Sequence, residues 1–138
     1  MKIIFLDIDG VLFAFWGYKF SPAACNNLNV LLEKEPEAMI VISSSWRHLG
    51  LDQVKKTLAA NNIDSNRAID ITGNETGGRG VQIQAWLDRH PEVTNFVVID
   101  DEISEMSNIM DHVVKTNSYS GLTSADVDLA LDILNKKV

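Results

Sequence analysis

The order of hydrophobic patterns predicts an α/β fold of three layers, with a central parallel sheet of about five strands held between helices. Short apolar runs alternate with helix-spaced segments along the chain, and strand–helix alternation is the signature of parallel strands joined by crossovers. Three of the runs end in carboxylates or hydroxyls: Asp7 and Asp9, then Ser43 to Ser45, then Asp100 and Asp101. In an open parallel sheet ligands bind beyond the carboxyl ends of the strands, so these groups are expected to meet in one crevice.

The first strand is Ile3-Ile4-Phe5-Leu6, and it delivers Asp7-Ile8-Asp9-Gly10 to its tip. Side chains two apart share a face of a strand. Here the strand stops at Asp7 and Gly10 permits a tight turn, so Asp7 and Asp9 are expected to converge on one point. Two acids that close repel unless a cation or a phosphate chemistry uses them. Ser21-Pro22 reads as a helix start with Pro in the first helical position, and Leu28, Leu31 and Leu32 follow at helical spacing. Met39-Ile40-Val41-Ile42 is the next strand, ending in Ser43-Ser44-Ser45-Trp46-Arg47, and a helix runs from about Asp52 to Ala60. Ala68-Ile69-Asp70-Ile71 reads as a short third strand, and Thr72 to Gly80 as a polar, glycine-rich mobile loop.

Gly80 to Arg89 is expected to be a helix with Val81, Ile83, Trp86 and Leu87 on its apolar face, closed by His90-Pro91. Phe96-Val97-Val98-Ile99 is the fourth strand and ends in Asp100-Asp101-Glu102. His112 to Thr116 is the fifth. Thr123-Ser124-Ala125-Asp126 opens a last helix with a capping pattern, expected to bury Val127, Leu129, Leu131, Ile133 and Leu134.

At 138 residues the chain is expected to form a single domain, 1–138, long enough to bury a core without staples. A composition of 46% hydrophobic and 22% charged residues is that of a globular protein rather than a disordered one. The single cysteine, Cys25, has no partner for an internal disulfide, which suits a reducing cytoplasm. Asp7 and Asp9 break the first apolar run too early for a signal peptide, and no stretch is long enough to span a bilayer. The net charge of −7 disfavours tight nonspecific nucleic-acid binding, although a local basic groove is compatible with it. The charge leaves the oligomeric state open.

The segments Leu6–Leu12 (LDIDGVL), the serine-ended strand, a basic residue opening a helix and Ile99-Asp100-Asp101 resemble the four motifs of the haloacid dehalogenase (HAD) superfamily of phosphotransferases. The stretches SSSWR, RGVQIQAWL, VVIDDE and SGLTSADV look like the small family described as the HAD domain of Swiss-army-knife RNA repair proteins. The resemblance implies a Mg²⁺-dependent phosphatase. Asp7 would be the nucleophile that forms an aspartyl-phosphate, and Asp9 would protonate the leaving oxygen and then activate water. Mg²⁺ would be held by the Asp7 carboxylate, the Asp9 main-chain carbonyl and Asp100. Asp101 would ligate it through water, orient Arg79, or cap the next helix. Ser43 would donate to a phosphoryl oxygen, with Ser44 its rival because consecutive serines blur the register. Arg79 would hold nucleophile and phosphate together.

The stretches from Leu12 to Met39 and from Leu49 to Asn95 leave room for a minimal flap but for no large cap domain. An open site suits a bulky phosphorylated substrate, such as a nucleic-acid end or a protein phosphate, or an oligomer partner that acts as a lid. Arg47 is either a phosphate contact or a surface ion-pair residue. Gly77-Gly78-Arg79-Gly80 lacks the Lys-Ser/Thr ending of a P-loop. Trp16, Tyr18 and Phe20 alternate as on one face of a hairpin and either wall the site, stack on a base or simply pack. His48, His90 and His112 show no ligand spacing, and Cys25 reads as a core residue. Competing readings of the whole chain are a receiver-like phosphate-sensing module and a catalytically idle scaffold.

Overall fold

A computed structural model of the chain describes residues 1–14 and 19–136. Its elements are β1 (Lys2–Leu6), β2 (Phe13–Ala14), β3 (Lys19–Phe20), α1 (Pro22–Lys34), β4 (Met39–Ile42), α2 (Leu51–Ala60), β5 (Ala68–Ile71), α3 (Arg79–Asp88), β6 (Asn95–Asp100), β7 (Val113–Lys115) and α4 (Ser124–Leu134). Short 3₁₀ turns cover Ser45–Leu49, Ser65–Arg67 and Ser107–His112. The expected parallel sheet is present, with five strands in the order β5-β4-β1-β6-β7.

Strand alternation splits the core in two, as a period of two residues requires. Ile4, Leu6, Ile40, Ile42, Val97 and Ile99 face α1, α2 and α4, packing on Leu28, Leu31, Val54, Leu58 and Val127. Ile3, Phe5, Val41 and Val98 face the other way, onto Ile83 and Trp86 of α3 and onto Met106 and Ile109. Phe5 meets the Trp86 and Phe96 rings edge-on at 5.5 and 5.8 Å. These layers make the fold Rossmann-like, and among the described residues no helix is long and apolar enough to cross a membrane.

Local signals in the side chains open α1 and α4. The Ser21 side chain accepts from Ala24 N ahead of Pro22, and Thr123 with Asp126 forms a reciprocal capping box. Two expected core positions are solvent-facing instead: Val81 is 41% exposed and Leu129 54%. In α3 the chain turns Gly80 inward, where its N–H bonds the Glu105 carbonyl at 3.1 Å and its carbonyl accepts from Asn108 Nδ2. Gly80, Ile83 and Trp86 therefore line the buried face, and Val81, about 100° further round the helix, points away. In α4 the buried set is Val127, Ala130 and Leu134, which turns Leu129 outward in the same way.

Among the described residues the stretch between Leu12 and Met39 holds the β2–β3 ribbon and α1, and between Leu49 and Asn95 the chain builds α2, β5 and α3. The fold carries a minimal flap in place of a cap. Phe13 pairs with Phe20 across that ribbon; of the flap aromatics, Trp16 and Tyr18 lie outside the described residues.

Candidate active site

Sheet register gathers the site. Leu6 pairs with Ile42 on one side and Ile99 on the other, so the next residues, Asp7, Ser43 and Asp100, stand side by side at the ends of three neighbouring strands. Ladder bonds continue one step beyond the strands: Asp7 N donates to Ile99 O at 3.0 Å and Ser43 N to Leu6 O at 3.1 Å. By alternation all three side chains share the face of Phe5, Val41 and Val98, the face that α3 covers. Arg79 is the first residue of α3. Its Nη1 lies 2.7 Å from Asp100 Oδ2 and 3.3 Å from Asp7 Oδ2.

Asp7 and Asp100 are almost wholly buried. Asp7 Oδ1 accepts from Ile8 N, and Asp100 Oδ1 from Glu102 N. Oxygens of Asp7, Asp100 and Asp101 all lie within 4.8 Å of one another. Gly10, at φ +80°, makes room for this: a Cβ there would overlap the Asp101 carboxylate. The Gly10 carbonyl accepts from Thr116 Oγ1 at 2.8 Å, and Asp101 Oδ2 accepts from Ser118 Oγ at 3.0 Å. Neither Thr116 nor Ser118 stands out in the sequence, although Thr116 follows a strand directly, as Asp7 and Ser43 do.

The carboxylate of Asp9 is not part of that acidic group. Its Oδ1 accepts from the Trp46 indole Nε1 at 3.0 Å. Asp7 and Asp9 thus leave one strand tip for different partners. The serines also divide. Ser44 Oγ accepts from Trp46 N and opens the Ser45–Leu49 turn, whereas Ser43 Oγ is buried with no partner among the described residues. Arg47 donates from Nη1 to the Ser44 carbonyl at 3.0 Å, and its Nε is buried with no partner among the described residues. Burial first, then the nearby Arg79 charge, holds Arg47 below its usual range, against the pull of Glu75.

Burial, reinforced by the Asp100 charge and only partly offset by Arg79, pushes the Asp7 carboxyl up to about 8. Burial likewise raises Asp100 against the opposing Arg79 charge. Such a site favours a bound cation. All three side chains offer hard oxygen donors, the type that suits Mg²⁺ or Ca²⁺, so the residues fit a divalent metal.

The sign of the linkage follows from the raised Asp7 value. The folded state holds this proton from about pH 4 to about 8 while the unfolded chain has released it, so stability is fully present below the unfolded value and falls as pH rises. The slope is at most ~1.4 kcal/mol per pH unit. Chelator-treated protein is expected to melt at a lower temperature at pH 8 than at pH 5, and millimolar Mg²⁺ to raise the melting temperature more at pH 8. Equal melting and equal metal response at both values, by calorimetry, would count against the acidic site.

A family model described as the HAD domain in Swiss Army Knife RNA repair proteins matches residues 3–127. The chain belongs to that HAD family. The matched span runs from β1 into α4 and includes every strand of the sheet, so Asp7, Ser43, Arg79 and Asp100 all sit within the HAD domain. The HAD class is generally one of hydrolases, phosphatases among them. No curated protein and no solved structure matches the chain.

Proposed function

We propose that the chain is a Mg²⁺-dependent phosphomonoester phosphatase working through an aspartyl-phosphate on Asp7. The observation that carries this reading is the cluster in which the buried Asp7 and Asp100 meet the half-buried Asp101 and Arg79 beside adjacent strand ends. Uncatalysed hydrolysis of phosphate monoesters is so slow that enzymes reach accelerations of up to ~10²¹-fold. Positioning and charge neutralisation have to supply most of that.

Asp7, Asp100 and Asp101, with the Asp9 main-chain carbonyl, would hold Mg²⁺, which when bound neutralises charge so that one anion can approach another. An Asp7 oxygen attacks phosphorus, and the bond to the leaving oxygen breaks as Asp9 delivers a proton to it. Water then attacks the acyl phosphate, Asp9 takes its proton, and the Asp7–phosphorus bond breaks to release inorganic phosphate. Arg79 keeps Asp7 oriented and offers its charge to the phosphoryl oxygens. Ser43, whose hydroxyl has no partner among the described residues, donates a hydrogen bond to a phosphoryl oxygen, and Ser44 serves as the cap of the turn that follows.

The two serines are separable by experiment. Ser43→Ala is expected to lower turnover about 10²-fold, with melting unchanged or raised because an orphaned buried hydroxyl is removed. Ser44→Ala is expected to cost about 1 kcal/mol of stability through the lost cap, with the smaller effect on turnover. The reverse pattern in paired kinetic and melting measurements would exchange their roles.

The open site and minimal flap favour a bulky ester, and the family's description supports a polynucleotide phosphate end as the first class to test. The net charge of −7 points to recognition of the end itself rather than long backbone contacts. The buried thiol of Cys25 is consistent with a reducing cytoplasm as the place of action. A screen of phosphate monoesters, including 5′- and 3′-phosphorylated oligonucleotides with Mg²⁺, tests the reading. Absence of turnover on every ester would overturn it.

A further inference from the structure

We infer that Trp46 is the positioning residue for Asp9 and decides which Asp9 oxygen carries the transferred proton; the inference rests on the phosphatase reading above. The indole Nε1 donates to Asp9 Oδ1 at 3.0 Å. An indole N–H donates and has no lone pair to accept with. Oδ1 must therefore remain an acceptor whether Asp9 is a carboxylate or a carboxylic acid. A carbonyl oxygen accepts better than a hydroxyl oxygen, so this bond favours the proton on Oδ2 in both half-reactions and leaves Oδ2 to the ester oxygen first and to water second.

Trp46 is itself braced from two directions. Its backbone N–H is fixed by Ser44 Oγ at 3.1 Å, one residue after the unpartnered Ser43. Its ring meets Phe20 edge-on at 5.6 Å, and Phe20 meets Phe13 in the same way at 5.7 Å. The serine turn and the flap thus converge on one indole, which links the serine that hydrogen-bonds the phosphoryl oxygens, the flap and the proton carrier in a single packed unit. The same bond keeps the Asp9 carboxylate apart from the group formed by Asp7, Asp100 and Asp101. Without the indole, either Asp9 oxygen takes the proton.

Trp46→Phe removes the N–H and keeps an aromatic ring for Phe20. Proton delivery matters most for an alkyl phosphate, whose alkoxide is a poor leaving group, and least for p-nitrophenyl phosphate, whose nitrophenolate departs unprotonated. In single-turnover measurements the variant is expected to form the phospho-enzyme about 10²-fold more slowly from the alkyl ester and less than about 3-fold more slowly from the aryl ester. With the aryl ester, a burst of nitrophenolate followed by slow turnover is expected, because water activation still needs Asp9. With the alkyl ester, whose phosphorylation step limits turnover, KM should change much less than kcat. Equal losses on both esters, or no loss on either, would overturn the inference.

A second readout needs no activity. In a two-dimensional proton–nitrogen NMR spectrum the Trp46 indole signal, identified by its absence in Trp46→Phe, is expected to move in Asp9→Ala. An unmoved signal would overturn the hydrogen bond and the inference with it. Failure of the phosphatase reading looks different: the wild-type protein then hydrolyses no ester, or Asp7→Asn retains full activity, whereas failure of the Trp46 role leaves an active, Asp7-dependent enzyme that ignores Trp46→Phe.

Discussion

Asp7→Asn is expected to bring metal-dependent hydrolysis of p-nitrophenyl phosphate down by at least ~10⁴-fold, the scale seen when a nucleophile is removed. The amide keeps the shape of the carboxyl and still accepts from Ile8 N through its carbonyl oxygen, so the fold should persist. It cannot form the acyl phosphate. The same change removes a buried acid that burial pushes up to about 8. Chelator-treated Asp7→Asn should therefore lose less stability between pH 5 and pH 8 than the parent protein, and respond less to Mg²⁺. One variant thus separates chemistry from folding: turnover collapses while the melting curve at pH 8 holds or improves. Full metal-dependent turnover in Asp7→Asn would sink the nucleophile assignment.

Asp9→Asn should slow turnover by ~10²–10⁴-fold, the range that positioned proton transfer supplies. Its geometry ought to survive, because the amide oxygen can still accept from the Trp46 indole. What it loses is the ability to give up or take a proton. With an aryl phosphate, whose leaving group departs unaided, the loss should fall mainly on hydrolysis of the phospho-enzyme. Radiolabelled phosphate is then expected to stay on the protein through acid quenching. Normal turnover with no retained label would remove Asp9 from the proton path. Rapid multiple turnover by the parent protein would also exclude a receiver-like module, which signals rather than cycles.

Much of the fold is legible in the chain because its signals are local. The runs Ile3–Leu6, Met39–Ile42 and Phe96–Ile99 are apolar on both faces, as strands covered by helices on both sides must be. Ser21-Pro22 and Thr123-Asp126 carry helix starts in their own side chains. The readings that moved depend on neighbours. Val81 and Leu129 belong to apolar patterns, yet which side of a helix is buried depends on where the backbone comes closest. In α3 that is Gly80, against Glu105 and Asn108. His112 was expected to begin the last strand; it closes the Ser107–His112 turn instead, with its ring stacked on Phe96 at 3.9 Å.

The candidate site divides along the same line. Sequence alone determined that acids and hydroxyls would stand at strand ends, because a strand's apolar run and the residue that ends it are contiguous in the chain. Asp7, Asp9, Ser43, Ser44, Asp100 and Asp101 are readable as candidates on that ground, and Arg79 through the family resemblance as a basic residue opening a helix. The tertiary structure decided how they are shared out. It sets the carboxylates of Asp7, Asp100 and Asp101 together, turns Asp9 to Trp46, and leaves Ser43 unpartnered while Ser44 caps a turn. The physical reason is that a hydrogen bond is made within about 3 Å between groups that can be far apart in the chain. Trp46 lies 37 residues from Asp9 in sequence and 3.0 Å from it in space, a distance that register and packing alone create.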